Sequence, residues 1–167
     1  MAMKVLVAID GSPHSEAAIA EVVRRQWPAG SEILVLTVVH PGAPLLLDPS
    51  LALAAAYVQQ SQDLRQHAPA LVTAACRQLR HSAPDLTILT TIEEGVPKDV
   101  IIETARSWNA DLIVVGSHGH GRIRSILLGS VALGVLTDAP CSVLVARAKR
   151  VGDDDKAKAS PSVAVCH

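Results

Sequence analysis

A glycine-bounded loop over residues 116–130 combines residue types that could bind a phosphate group. It has the sequence GSHGHGRIRSILLGS and lies between an apolar run and the start of a helical pattern. Consecutive main-chain amides in such a loop can converge on phosphate oxygens. Three of its glycines, Gly116, Gly119 and Gly129, leave room for close approach and allow positive φ angles. The loop is therefore a candidate phosphate site.

Polar side chains of the same loop could strengthen anion binding. Ser130 can cap the next helix or donate its hydroxyl, and the N-terminal dipole of that helix favours anions. Arg122 and Arg124 add cations, while His118 and His120 add hydrogen-bond donors. The two histidines have no evident third partner for a metal ion, so we predict no metal site. A strand-to-helix turn without a ligand is the alternative that composition alone leaves open.

Two widespread nucleotide motifs do not match this loop. The spacing Gly129-x4-Gly134 is followed by Val135 and not by lysine, so the segment is not a P-loop. Gly119-x-Gly121 is followed by Arg-Ile-Arg, which breaks the dinucleotide-binding fingerprint. The loop belongs to neither class.

The elements around the loop alternate between short apolar runs and helical patterns. The runs predict strands at 4–9, 33–39, 86–92, 112–115 and 141–146, and the patterns predict helices at 13–27, 51–81, 97–108 and 130–136. Pro69 predicts a kink or restart in the second helix. This order predicts an α/β fold with a single open five-stranded parallel sheet, Rossmann-like, and helices on both faces.

Ligands of such sheets bind beyond the carboxyl ends of the strands, where the strand order reverses. Residues 10–12, 38–41, 93–95 and those from 116 onward are therefore the candidate contacts. Asp10 ends the first strand, and at this stage it is equally a simple turn former or a ligand contact.

Composition narrows the possible partners and location. The 167 residues include 49% hydrophobic residues but only two Trp, one Tyr and no Phe, so the core is aliphatic. A formal charge of −1 offers no basic field for nucleic acid. Three dispersed cysteines without a CxxC pair are typical of a reducing compartment. No signal-peptide pattern and no apolar stretch near the roughly 20 residues of a membrane span is present, so we expect no membrane contact and a cytoplasmic location.

A family resemblance becomes specific at the loop. The spacing Gly116-x2-Gly119-x9-Gly129-Ser130 resembles the nucleotide loop of the ATP-binding branch of the universal stress protein family. Other segments resemble the family too: KVLVAIDGS at 4–12, NADLIVVGSHG at 109–119, LLGSV at 127–131 and DAPCSVLVAR at 138–147. The similarity covers residues 1–147 and leaves 148–167 as a polar tail, which we expect to be disordered or loosely docked.

The resemblance implies a homodimeric stress-response module with an adenine nucleotide alpha hydrolase-like fold, which binds ATP, ADP or AMP, with Mg²⁺ as an option. In that family pattern Asp10 would face the ribose or a metal ion, and Val38 and Val115 would line the adenine pocket. The phosphates and ribose would be held by Gly116, Gly119, Gly129, Ser130 and Val131. No catalytic residue is assigned. The run Ala-Leu-Gly at 132–134 departs from the polar residues usual in the family.

Two other functions stay open at this stage. One is an enzyme that hydrolyses ATP slowly or transfers a nucleotidyl group. Against it, the turn after the first strand lacks Ser-Gly-Gly, His118-Gly-His120 is not an HxGH signature, and no second catalytic base is apparent. The other is a ligand-free interaction scaffold, which the intact loop disfavours.

A regulatory protein partner is expected but not identified. The expected edge position of the last strand also predicts a homodimer, and the apolar segment 41–49 is either a lid or added contact area.

Overall fold

A computed structural model describes residues 1–40, 51–119 and 128–148. Strands and helices alternate along the chain in the predicted order. The elements are β1 (Lys4–Ala8), α1 (Pro13–Arg24), β2 (Glu32–Val39), α2 (Leu51–Ser82), β3 (Thr87–Glu94), α3 (Pro97–Trp108), β4 (Leu112–Gly116), α4 (Ser130–Asp138) and β5 (Ser142–Ala146).

The five strands form one parallel sheet in the order β3-β2-β1-β4-β5. The chain moves outward from β1 through β2 to β3, then returns to place β4 on the other side of β1. The order therefore reverses between β1 and β4, where Val5 lies opposite Leu112 and Val7 opposite Val114. The predicted fold class is confirmed, and the crevice at the carboxyl ends of β1 and β4 is where such sheets bind ligands.

The central strands β1, β2 and β4 are buried on both faces of the sheet. Val5 and Val7 of β1 pack under α1 and α2, whereas Leu6 between them packs under α3 and α4. Because successive strand residues point to opposite faces, a strand covered on both sides needs a continuous apolar run. Each such side chain contributes about 1.5–3 kcal/mol on burial. The aliphatic core thus fixes the strands whose ends form the crevice.

Helix α1 is shorter than its hydrophobic spacing predicts. It ends at Arg24, so the expectation that it reaches Trp27 is wrong. The Trp27 indole Nε1 lies outside the helix and donates to the Val22 carbonyl oxygen at 2.8 Å. Its ring packs against the cluster under α1, so tertiary contacts keep it at an apolar position without helical backbone.

Two other boundaries also differ from the sequence pattern. Strand β3 continues through Glu94 instead of turning at Glu93, because its backbone pairs with β2 as far as Val39. Helix α2 runs without interruption through Pro69, so of the two predicted outcomes, a kink or a restart, the restart is wrong. None of the helices among the described residues is long and apolar enough to cross a membrane.

Gly134 provides space between α3 and α4. A Cβ at this position would lie 2.5 Å from Cδ of Lys98, whose stem crosses the α4 backbone. The Lys98 ammonium reaches Asp138 at 2.9 Å. Gly134 therefore lets an α3 lysine pack across α4.

Candidate functional site

The turn after β1 places a carboxylate at the mouth of the crevice. Gly11 has a φ of 81°, a conformation that favours glycine. Asp10 Oδ1 accepts a hydrogen bond from the Ser12 backbone N–H at 2.9 Å. Ser12 then caps α1 by accepting from the Ser15 N–H at 3.2 Å. The Asp10 carboxylate is thus held by the local turn.

The start of the glycine loop lies directly against this turn. A Cβ at Gly119 would lie 2.7 Å from Asp10 Oδ2. The Ser12 hydroxyl donates to the His118 carbonyl oxygen at 3.4 Å. Asp10 and Gly119 are 109 positions apart in sequence, yet the strand order brings them into contact, so two predicted site residues meet at the switch point.

Ser117 ties the two ends of the loop to the sheet. Its N–H donates to the Ala146 carbonyl at 2.6 Å, and its carbonyl accepts from the Gly129 N–H at 2.7 Å. Its hydroxyl oxygen lies 3.0 Å from His14 Nδ1 and 3.2 Å from His118 Nδ1. Only 1% of Ser117 is exposed. A buried serine therefore joins the loop, β5 and the start of α1.

Gly116, Gly119 and Gly129 provide room and do not adopt positive φ. Gly129 has a φ of −67°, and neither Gly116 nor Gly119 is among the described glycines with positive φ. A Cβ at Gly116 would lie 2.7 Å from the His14 carbonyl carbon, and one at Gly129 would lie 3.2 Å from His118 Cα. None of the three therefore uses the positive φ that glycine permits, and each lies close to another part of the chain.

Helix α4 begins without a side-chain cap. Gly129 is its N-cap residue and forms no capping hydrogen bond through a side chain. Ser130 is the first helical residue and is exposed, so the expectation that Ser130 caps the helix is wrong. The first amides of a helix have no intrahelical acceptor, and an anion is a suitable partner for them.

The apolar residues expected to contact adenine share one face of the sheet. Val38 and Val115 are the penultimate residues of β2 and β4, on either side of β1, within the cluster that packs under α3 and α4. They are 7% and 3% exposed. Val131, in the first turn of α4, is half-buried against the same cluster. These side chains form an apolar wall near the carboxyl edge.

His14 is a site residue that the sequence analysis does not identify. Its Nδ1 accepts from the Ala148 N–H at 3.2 Å, and its ring centroid lies 5.1 Å from that of His118. Burial, then the charges of His118 and Arg147, lower the pKa of His14, and Asp10 opposes them. No local pattern marks this histidine, because its contacts come from the ends of other strands.

Several residues of interest lie outside the described part of the chain. They are His120, Arg122, Arg124, the segment 41–49 and residues 149–167 of the tail. Among the described residues, no group of three or more His, Cys, Asp or Glu side chains is arranged to hold a metal ion. Asp10 is one carboxylate beside the loop, so a divalent cation there would need further oxygens from water or a bound ligand.

The reversal of strand order beside a glycine loop defines an open, doubly wound α/β domain. The universal stress protein family model matches residues 1–147, and the chain belongs to this family. A curated universal stress protein of Thermus aquaticus is 32% identical over 144 residues, which cover 86% of this chain and 97% of the relative.

Solved structures agree with this assignment. The universal stress protein UspA from Lactobacillus plantarum has a TM-score of 0.69 and 27% identity, covering 87% of this chain and 97% of its own. A universal stress protein solved in complex with cAMP has a TM-score of 0.52 and 26% identity, covering 89% of this chain and 98% of its own.

Proposed function

We propose that residues 1–147 form a module that binds an adenine nucleotide, with ATP as the main ligand and ADP or AMP as alternatives. The module acts in stress response as a homodimer whose nucleotide state is read by a regulatory protein. One observation carries the proposal: Asp10, Gly119 and the uncapped start of α4 at Gly129 converge on the switch point of the sheet. Dispersed cysteines favour the cytoplasm as its location.

Each part of this site suits one part of a nucleotide. The amides at the start of α4, around Ser130 and Val131, would donate to phosphate oxygens. Asp10 would accept from ribose hydroxyls, or hold Mg²⁺ together with the phosphates, since Mg²⁺ is commonly bound by one or two carboxylates plus phosphate oxygens. The apolar side chains of Val38 and Val115 would contact adenine. The relative solved with cAMP supports the adenine nucleotide class.

The direct test is to identify what the protein carries and binds. Nucleotide released from freshly purified protein is identified by mass spectrometry, and ATP, ADP and AMP are titrated by calorimetry. We expect an adenine nucleotide in the released fraction and saturable binding of ATP. If no nucleotide is released and none binds, the scaffold alternative replaces this proposal.

We also predict that the protein is a homodimer joined through β5. Within the described part of the chain, β5 pairs only with β4, so its outer edge presents backbone groups to a second copy. Light scattering at micromolar concentration should give a dimer mass with and without ATP. Ser142→Lys, at the exposed first residue of β5, should shift the mass toward the monomer, because charge on an edge strand opposes pairing.

The opposite edge of the sheet offers a matched control. Thr87 is the exposed first residue of β3, which is the other edge strand. Thr87→Lys should leave the dimer mass unchanged. A monomer mass for the unmodified protein, or the same loss of dimer in both variants, would contradict an interface through β5.

A further inference from the structure

The contacts of His14 fix its protonation state. A backbone N–H is always a donor, so the Ala148 N–H at 3.2 Å requires a lone pair on His14 Nδ1. The Ser117 hydroxyl lies 3.0 Å from the same nitrogen and can share this lone pair with the Ala148 N–H. His14 is therefore neutral in this arrangement, with its proton on Nε2.

Ser117 links His14 to both ends of the loop. Its hydroxyl also reaches His118 Nδ1 at 3.2 Å, on the side where the loop leaves β4. Its carbonyl holds the Gly129 N–H at 2.7 Å, on the side where the loop enters α4. His14 makes no described hydrogen bond to Gly119 or Gly129. Its ring lies 5.1 Å from that of His118, and its hydrogen-bonded link to the loop runs through Ser117.

We propose that His14 is a positioning residue of the nucleotide loop, whose neutral Nδ1 joins Ser117 to the chain at Ala148, so that adenine-nucleotide affinity falls when His14 is protonated. The inference rests on the nucleotide-binding function proposed above. A proton on Nδ1 would face the Ala148 N–H, so two donors would oppose each other and the junction would open.

Three charged or titratable groups face His14, each from the end of a different strand. They are Asp10 after β1, His118 after β4 and Arg147 after β5. Burial is the largest influence and lowers the pKa of His14, the positive groups lower it further, and Asp10 opposes them. The unfolded chain therefore takes up this proton first, at a pH near 6.5. The contribution of neutral His14 to the free energy of unfolding is complete above that pH. It is lost as the pH falls through the lower pKa of the folded state.

A different role for His14 predicts the opposite pH dependence. If His14 were a cation for the phosphates, protonation would strengthen nucleotide binding through charge attraction. If His14 positions the loop, protonation weakens binding. The sign of the pH effect thus distinguishes the two roles.

The test compares ATP affinity between pH 8 and 5.5 for the unmodified protein, His14→Asn and His14→Ala. The Asn side-chain oxygen can accept in place of Nδ1 and does not titrate. Relative to His14→Asn, the unmodified protein should lose affinity as the pH falls, by at most about tenfold per pH unit for one proton. His14→Ala should bind about tenfold more weakly at pH 8, because it lacks the acceptor. Titration of the ATP phosphates affects all variants equally, so it cancels in the ratio of the affinities of the unmodified protein and His14→Asn.

His67 supplies a control, since its ring is exposed and, among the described residues, is hydrogen-bonded within its own helix to the Asp63 carbonyl. His67→Asn should follow the unmodified protein at every pH.

A second readout is the NMR shift of the Ala148 amide, which should titrate with the His14 ring in the unmodified protein without any nucleotide. Binding of ATP at pH 8 with equal pH profiles for the unmodified protein and His14→Asn would overturn this inference alone. Stronger relative binding at low pH, or an Ala148 amide that does not follow His14, would also overturn it. Absence of ATP binding at every pH would overturn the proposed function and this inference together.

Discussion

Replacement of Gly119 by valine should abolish ATP binding in a domain that remains folded. A Cβ at Gly119 would lie 2.7 Å from Asp10 Oδ2, so even the first added carbon displaces the carboxylate at the crevice. The residue is exposed, so the added bulk does not enter the core. Calorimetry should show a loss of more than about 100-fold in affinity, equivalent to about 2.7 kcal/mol.

Gly129→Val should have the same effect for a related reason. Its Cβ would lie 3.2 Å from His118 Cα and 3.3 Å from the Ser117 carbonyl oxygen, both of which are backbone. The control is Gly134→Ala, which adds a methyl group to the same helix against the flexible Lys98 stem. Replacing a helix-interior glycine by alanine also favours the helix by about 1 kcal/mol. Gly134→Ala should bind ATP normally. A folded Gly119→Val protein with unchanged affinity would remove the loop from the proposed site.

ATP should behave as a bound effector that stabilises the fold without rapid turnover. A ligand that binds only the folded state, at about 100 times its Kd, stabilises that state by about 2.7 kcal/mol. For a domain of this size we expect a rise of about 5–10 °C in Tm. Thermal unfolding with and without saturating ATP measures this shift, and Gly119→Val should show none.

Hydrolysis should stay far below the roughly 10 per second typical of enzymes. Phosphoryl transfer needs a positioned water or acceptor, a group that orients it, and charge stabilisation in the transition state. Among the described residues beside the loop, Asp10 is the carboxylate nearest Gly119, and its Oδ1 already accepts from the Ser12 amide. Phosphate release assays measure the rate. Turnover near 10 per second that is lost in Asp10→Ala would replace the binding module with the enzyme alternative.

The sequence was sufficient for the class of fold because the signals for it are local. Continuous aliphatic runs such as ILVLTVV at 33–39 predict strands buried on both faces, and their alternation with helical patterns predicts a parallel sheet. Helix starts were also predictable, since Ser12 and Pro13 form a cap and first turn through neighbouring residues. Periodicity was misleading at Trp27, which occupies an apolar position through tertiary packing and lies outside the helix.

Only the tertiary structure decided which residues meet at the crevice. His14 and Ser117 are 103 positions apart, and their contact depends on β4 lying beside β1 and on β5 lying beside β4. The loop glycines could be located from the sequence, but only the structure shows what three of them face. Gly116 lies against His14, Gly119 against the Asp10 carboxylate, and Gly129 against the His118 backbone. Side-chain hydrogen bonds between distant strand ends leave no periodicity and no fixed spacing in the sequence. They arise once the buried strands fix the positions of those ends, so the sequence predicts the site's loop while the packing of the sheet selects its other residues.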